Sequence, residues 1–574
     1  MSLSSRVNEK ASLIWAIADK LTGVYKPHEY GEVILPLTVL RRFDCILADT
    51  KSVVLDTYNK LKDQNLDLLD GLLYEVAGHK FYNISKYTFK TLLDDPDNIE
   101  SNFRDYINGF SNNVQDIIRK FKFDNHITTM ADKHILYMVI KEFSTDKANL
   151  HPDHISNLEM GYIFEEIVRR FSEAHNEDAG QHYTPREVIR LMVNILFHDD
   201  NAVLSGQNVV RTIYDCACGT GGMLSVAEEY LANLNSTSKL ISFGQELNDQ
   251  TFAICKADML IKGNDAERIQ SGNTLFEDRF SGETFDYIIS NPPFGREWKN
   301  EEAFVKNEAK LGFDGRFGPG LPSTADGQML FLENAIKKMN PQGSRIAIIH
   351  NGSPLFTGDA GSGPSEIRRY ILENDLLEAI IALPNDIFYN TGIATYIWVL
   401  SNKKAGTPRE GKVQLINAND LYEKRRKSLG NKRNDIPESA IQEITKIYGE
   451  FRETEISKIF DNEDFGYTKI TVERPVLDED GKPVLAKGKP KADTKRRDTE
   501  IVPLKEDIGT YFEREILPFA PDAWIDSKKN KIGYEIPFTR HFYKYVAPRP
   551  SDEIMVEIKA LESELDGALV EVFK

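Results

Sequence analysis

Residues 209–234 read VVRTIYDCACGTGGMLSVAEEYLANL. A β-branched run ends at Tyr214-Asp215, a glycine-rich turn follows through Gly219, Gly221 and Gly222, and an apolar segment of helical period begins near Met223. The same alternation continues outward through KLISFGQE, a helix reaching Lys262, and FDYIISNPPF. Short apolar strands separated by helices form a parallel sheet, because each crossover helix returns the chain to the same end of the sheet. RIAIIH (345–350), LLEAIIALP (376–384) and the pair ATYIWVL and KVQLINA (394–418) extend the pattern. The expected fold is α/β with a mostly parallel sheet of about seven strands.

The flanks have a different texture. In LIWAIADKL, Leu13, Ile14, Ile17, Ala18 and Leu21 share one helical face, and Gly23 stops the pattern. A second apolar helix runs from Val33 to Leu40 and the basic pair Arg41-Arg42, with Pro36 expected to kink or restart it. NVQDIIRKF and HILYMVIKEF carry the helical period onward, so an all-helical N-terminal domain precedes the sheet. After about residue 420 the chain becomes charged, with KRRKS, a helix-like ESAIQEITKIYGEF, and KITVERPVLDEDGKPVLAKGKP, which reads as a hairpin around an Asp-Gly turn. KPKADTKRRDTE has almost no apolar content and is expected to be exposed or mobile. In the closing segment Ile554, Ile558, Leu561, Leu565 and Leu569 recur at spacings of three or four, either packed on their own domain or presented to a partner helix. The expected domains are 1–155 (helical), 156–420 (α/β) and 421–574 (an α+β C-terminal extension).

Composition narrows the function. At roughly 150 residues per domain, 574 residues exceed a single module, and 41% hydrophobic residues suffice for buried cores. Lys and Arg total 71 against 89 acidic residues, a net charge of −18, so the chain as a whole is not a cationic nucleic-acid binder and any such contact is local or shared. The four cysteines, Cys45, Cys216, Cys218 and Cys255, show no C-x-x-C spacing, which argues against structural zinc and disulfides. No apolar run spans a bilayer and MSLSSRVNEK has no secretory core, so a soluble, cytoplasmic protein without membrane contact is expected. A G-x-x-x-x-G-K-[ST] loop for ATP is absent.

Asn291-Pro292-Pro293-Phe294 follows the strand FDYIIS, at the strand end where open α/β sheets bind ligands. Two prolines fix the backbone and remove two N–H donors, leaving carbonyls and the Asn291 amide for the ligand. Such a set suits an exocyclic amino group: its two N–H bonds go to the Asn291 side-chain oxygen and the Pro292 carbonyl, and its lone pair is held toward an electrophile while Phe294 offers a stacking face. An ordinary Pro-Pro turn is the competing reading. Around the glycine loop, Leu224 stands where a dinucleotide fingerprint needs its third glycine, which disfavours NAD. Asp215 then suits a cationic amino acid moiety, as in S-adenosylmethionine, better than a phosphate. Glu246, ending the next strand, sits near the spacing of a ribose-binding acid, although an isolated glutamate is more often a surface residue. Asn273, in Gly272-Asn273-Thr274-Leu275, is placed to hydrogen-bond an adenine ring. All four loops fall on one edge of one sheet.

Taken with Gly180-Gln181-His182-Tyr183-Thr184-Pro185-Arg186, the segment Asp215 to Gly222 and Asn291 to Phe294 resemble the N6-adenine DNA methyltransferases, and specifically the modification subunit (M, HsdM) of type I restriction-modification systems. LIWAIADKLTG and ILPLTVLRRFD resemble that subunit's helical N-terminal domain, and LPNDIFYNTGIATYIWVL a later motif of its catalytic domain. The resemblance covers about residues 10 to 402, with weaker similarity in ILPFAPDAWIDSKKNKIGYEIPFTRHFYKY. It implies a Rossmann-like S-adenosylmethionine-dependent fold. It also implies that Gln181, His182, Tyr183, Thr184, Pro185 and Arg186, with Gly219, Thr220, Gly221 and Gly222, line the cofactor pocket. Glu246 would hold the ribose, and Asn291, Pro292, Pro293 and Phe294 would grip an extruded adenine, with Phe388 or Tyr389 as a second stacking face. Cys216-Ala217-Cys218 departs from the family's usual Asp-Pro and small residues, which loosens the loop but keeps the acid and the glycines; the thiols read as packing residues, not metal ligands. As partners the resemblance implies DNA, a specificity subunit that reads the target with two modification subunits per copy, and a restriction subunit that can join them. The rival readings are a methyltransferase of RNA or of protein glutamine, and an inactive assembly subunit.

Overall fold

The central sheet is built from β1 (Val210–Asp215), β2 (Lys239–Glu246), β3 (Ile269–Ser271), β4 (Tyr287–Ser290), β5 (Arg345–Asn351), β6 (Leu377–Ala382), β7 (Thr395–Ser401) and β8 (Lys412–Asn417). After a separate hairpin of β9 (Glu423–Leu429) and β10 (Lys432–Asp435), β11 (Ser457–Asp461) completes it. In this computed structural model, which describes residues 3–64, 68–175, 183–389, 391–486, 488–543 and 549–572, the sheet order is β11-β8-β6-β7-β5-β4-β1-β2-β3. β7 runs antiparallel to both β5 and β6, and β11 antiparallel to β8; the other strands are parallel to one another.

The sheet therefore has nine strands where about seven were expected. β3 is three residues long, and β11 is a half-exposed edge strand, SKIFD, in a charged neighbourhood. Neither offers the continuous apolar run of a strand buried on both faces. β11 also carries the sheet beyond residue 420. The direction of β7 was equally illegible, since TYIWVLS is buried throughout and reads like its parallel neighbours.

From residue 3 to 175, every described helix or strand is helical. Ile14, Ile17, Ala18 and Leu21 are buried, and Gly23 follows with φ +88°, as the stop signal requires. The helix Tyr30–Leu47 passes through Pro36 without a break, so the expected restart does not occur. Its burial on nearly every side offsets the ~3 kcal/mol that an interior proline costs. Arg42 is fully buried. Its guanidinium donates to the carbonyls of Leu150 and Ile155 and to Asn157 Oδ1, tying this helix to the start of the helix Asn157–His175. Lys120 Nζ reaches Asp249 Oδ1 at 3.0 Å and Ser271 Oγ at 3.2 Å, joining the helical region to the edge of the sheet. One apolar core runs without interruption from Val7 to Tyr448.

A second sheet follows: β12 (Gly466–Glu473), flanked by β15 (Asp498–Pro503), β16 (Trp524–Ile525) and β17 (Lys531–Tyr534); between them lie the short pair β13 (Leu485–Ala486) and β14 (Lys489–Pro490). The expected Asp-Gly turn is present, with Gly481 at φ +78° and Val484 N–H donating to the Val476 carbonyl at 2.8 Å. KITVE, however, pairs with β15 and not with the arm after the turn, so the long hairpin is corrected to a short one inserted in a sheet. The end of KPKADTKRRDTE forms the start of β15. Residues Met1–Ile536 form one unit and Pro537–Lys574 another. In the second, the helix Ser551–Val572 leaves Ile554, Ile558, Leu561 and Leu565 exposed, and the Leu569 side chain lies outside the described residues. Among the described residues no helix is long and apolar enough to cross a membrane.

Candidate functional site

From β1 the chain moves to β2 and β3 on one side, then returns to place β4 and β5 on the other. The order reverses between β1 and β4, and a crevice opens beyond their carboxyl ends, as it does at such switch points in open α/β sheets. A cleft of about 340 Å³ lies there, lined by residues from all four loops singled out in the sequence.

The loop after β1 is stitched to the end of β2. Gly219 N–H donates to Glu246 Oε2 at 2.8 Å, Asn248 N–H to Glu246 Oε1 at 2.7 Å, and Cys218 N–H to the Gln245 carbonyl at 3.1 Å. Gly221 takes φ +84°, and a Cβ there would lie 2.8 Å from Cys255 Sγ, so only glycine fits. The helix Gly222–Leu234 starts at this point, and Gly219, Thr220 and Glu246 line the cleft. Burial raises the Glu246 carboxyl above its ordinary range, against the pull of its backbone donors.

Asp215 is 1% exposed and does not line the cleft. Its Oδ1 accepts Ala217 N–H at 3.0 Å and the Ser290 hydroxyl at 2.7 Å, so the carboxyl fastens the glycine loop to the end of β4 from beneath. Burial pushes it up to about 7. Cys216, Cys218 and Cys255 are buried free thiols, with Cys218 Sγ 4.0 Å from Cys255 Sγ. Burial drives the Cys216 thiol up to about 12, which keeps it protonated and unreactive. Among the described residues no group of His, Cys, Asp and Glu could hold a metal ion.

Asn273 also lines the cleft; its Oδ1 accepts Leu275 N–H at 3.0 Å, while its Nδ2 donates to Glu301 Oε1 at 2.6 Å. Glu301 is 8% exposed, lines the cleft, and its Oε2 has no hydrogen-bond partner among the described residues. Leu247, Leu275, Pro293 and Trp298 add apolar surface between these polar groups.

Asn291 lines the same cleft, and its Nδ2 donates to Thr184 Oγ1 at 2.8 Å, which fixes the amide and defines Oδ1 as its acceptor end. Tyr183 also lines the cleft, its ring centroid 5.5 Å from that of Tyr389. Pro185 stands at the start of the helix Arg186–Phe197. Arg186 turns away to pair with Glu165 at 3.3 Å and stack on Tyr162, outside the lining. Pro292 and Gly222 lie behind the lining residues, and Gln181 and His182 lie outside the described residues. Phe294 is 5% exposed, packs edge-on to Phe388 with centroids 6.5 Å apart, and does not line the cleft.

Sequence reasoning missed Leu247, Trp298 and Glu301. Leu247 is the residue after Glu246, and an apolar neighbour of a ribose-type acid is a usable signal. Glu301 and Trp298 come to the cleft through the loop after Phe294, which has no motif of its own.

The family profile described as N-6 DNA Methylase matches residues 156–474, and a profile described as the HsdM N-terminal domain matches residues 10–143. The chain is 26% identical over 480 residues to the type I restriction enzyme MjaIX methylase subunit of Methanocaldococcus jannaschii, covering 80% of this chain and 79% of that protein. It is 28% identical to the HindI methylase subunit of Haemophilus influenzae, covering 49% and 58%. Its fold matches the type I restriction-modification methyltransferase subunit of Streptococcus thermophilus with a TM-score of 0.61 at 21% identity, over 80% of this chain and 96% of that one.

Proposed function

The chain belongs to the N-6 DNA methylase family, and from that premise we propose that it is the methylating subunit of a type I restriction-modification complex, transferring a methyl group from S-adenosylmethionine to N6 of adenine in DNA. The observation that carries this reading is one cleft, at the switch point of the sheet, lined together by Asn291, Pro293, the glycine loop, Glu246 and Asn273.

The residues fit the cofactor. Glu246, with both oxygens already oriented by backbone donors, is held rigidly enough to accept a ribose diol. The unpartnered Glu301 Oε2 is a buried acceptor beside Asn273, suited to the amino edge of the cofactor's purine, with Leu247 and Pro293 as apolar walls for its ring. Bound there, the cofactor supplies an electrophilic methyl group. Asp215 acts as a positioning residue through the loop it anchors.

Asn291 Oδ1 accepts one N–H bond of the target amine, and the Pro292 carbonyl, outside the lining before the base enters, is the second acceptor; together they hold the lone pair toward the cofactor, so orientation carries most of the rate. Thr184 keeps the Asn291 amide from turning over. The adenine has to leave the duplex to enter the cleft, at a cost of a few kcal/mol. Tyr183 is one aromatic residue that already lines the cleft, with Trp298 and Phe331; stacking on Phe294 requires that ring to leave its packing on Phe388.

DNA is the substrate partner in this reading. Target choice falls to a specificity subunit, two methylating subunits per copy, docked on the exposed apolar face of the helix Ser551–Val572; a restriction subunit joins the same assembly. The domain scheme 1–155, 156–420 and 421–574 is proposed as a functional division, with the structural sheet reaching past residue 420 through β11 and with cytoplasmic action on DNA. The test is methyl transfer from radiolabelled cofactor to DNA by the complex, with RNA and bulk protein as rival acceptors. Label in DNA adenine is expected; label only in RNA or protein, or none, selects a rival reading.

A further inference from the structure

The −18 chain carries a dense basic element beside the cleft that the cleft does not use: the β9–β10 hairpin, EKRRKSLGNKRND. β9 and β10 pair only with each other, so the ribbon joins no larger sheet. Two of its cations are internal fastenings. Arg425 pairs with Asp435, and Lys432, 1% exposed, pairs with Glu187 and donates to the Ile387 carbonyl at 3.2 Å. The other four, Lys424, Arg426, Lys427 and Arg433, are exposed, and none takes part in an ion pair among the described residues. In a protein with an excess of carboxylates, four cations left unpaired on one ribbon are a surface kept for an external anion.

The ribbon's turn and its second strand are fixed beside the cleft. Asn431 N–H donates to the Tyr389 carbonyl at 2.7 Å, Arg433 N–H to the Asp386 carbonyl at 2.8 Å, and Asn434 Nδ2 to the Asn385 carbonyl at 2.9 Å. These acceptors lie between β6 and β7, and the Tyr389 ring touches the cleft residue Tyr183. The cations are thus carried on a rigid mount one aromatic contact from the base pocket.

We propose that the β9–β10 hairpin is a sequence-independent clamp for the DNA phosphate backbone flanking the flipped base, with Lys424, Arg426, Lys427 and Arg433 as its contacts. The inference rests on the DNA-methylase reading. It gives an acidic subunit a local cationic strip at the point where the duplex has to be held open. Phosphate contacts position the duplex without reading sequence, which leaves target choice to a partner.

The test compares the assembled complex with one carrying Lys424→Ala, Arg426→Ala, Lys427→Ala and Arg433→Ala, measuring duplex affinity across a salt series together with methyl transfer at saturating DNA. Each lost phosphate contact lowers the slope of log affinity against log salt by about 0.9, so the expected change is roughly two to four units. Affinity falls on cognate and non-cognate duplexes alike, while cofactor affinity and turnover at saturating DNA stay unchanged. Replacement of Lys424 and Lys427 by Arg keeps the wild-type slope. Arg426→Ala alone gives about one unit and serves if the quadruple variant does not fold. An unchanged slope overturns the clamp, as does a variant that loses its specificity subunit while its assembled remainder binds DNA normally, which would mark a protein-docking strip. A wild-type complex that binds DNA with a hairpin-dependent slope but never methylates it contradicts the methylase reading and leaves the clamp standing.

Discussion

The cleft and the C-terminal elements are opposite solutions for polar and apolar side chains. In the cleft, Glu246 and Asn273 are each held by more than one partner, Thr184 fixes Asn291, and Asp215 fastens the loop from below. A pocket so preorganised suits a small ligand, because ordering costs have been met in folding. On the β9–β10 hairpin and the helix Ser551–Val572, exposed cations and exposed apolar residues are left uncovered. On the reading proposed above, those surfaces are completed by macromolecules, one polyanionic and one apolar.

If that contrast holds, damage to each region separates cleanly. Removal of residues 551–572 is expected to abolish co-purification with the specificity subunit while cofactor affinity is unchanged; retained co-purification breaks the comparison. Asn291→Ala is expected to cost about 10²–10³-fold in turnover, the scale of losing one preorganised polar group, with the cofactor dissociation constant unchanged within about twofold. A collapse of cofactor affinity in this variant would place Asn291 in the cofactor subsite. Glu301→Gln replaces the unpartnered acceptor by a donor. It is expected to invert a preference of about tenfold, from S-adenosylhomocysteine toward its 6-oxo inosine analogue, in calorimetric titration; an unaltered preference removes Glu301 from the purine subsite.

The gentlest probe is pH. Asp215, raised to about 7 from an ordinary 3.8, binds more protons folded than unfolded between these values, so its contribution to stability is lost as pH rises from about 4 to about 7. Asp215→Asn is expected to flatten that decline by up to ~1.4 kcal/mol per pH unit in denaturant titrations. An identical pH profile in the variant would mean the carboxyl is ionised throughout.

Legibility followed the same division. Positions where chemistry demands a residue type, such as Gly221 with its positive φ or Asn291 before two prolines, were readable because few substitutes exist. Strand direction was not, since β7 buries the same apolar run in either orientation. β11 escaped because an edge strand is only half apolar. Glu301 was invisible because its role depends on a loop returning to Asn273, a tertiary event with no local periodicity. Phe294 was legible as a residue but not as a state: its ring lies against Phe388 and away from the lining. The basic hairpin appeared only as KRRKS, and its anchoring to Tyr389 and Asp386 gives that charge a location.

The most direct test sequences DNA with base-modification detection from cells expressing this chain with its specificity subunit, beside cells expressing the Asn291→Ala chain. N6-methyladenine at one recurring motif, absent from the control, is the predicted result. A stable complex that leaves no modified adenine, or equal modification in both strains, contradicts the assignment of adenine methylation to this cleft.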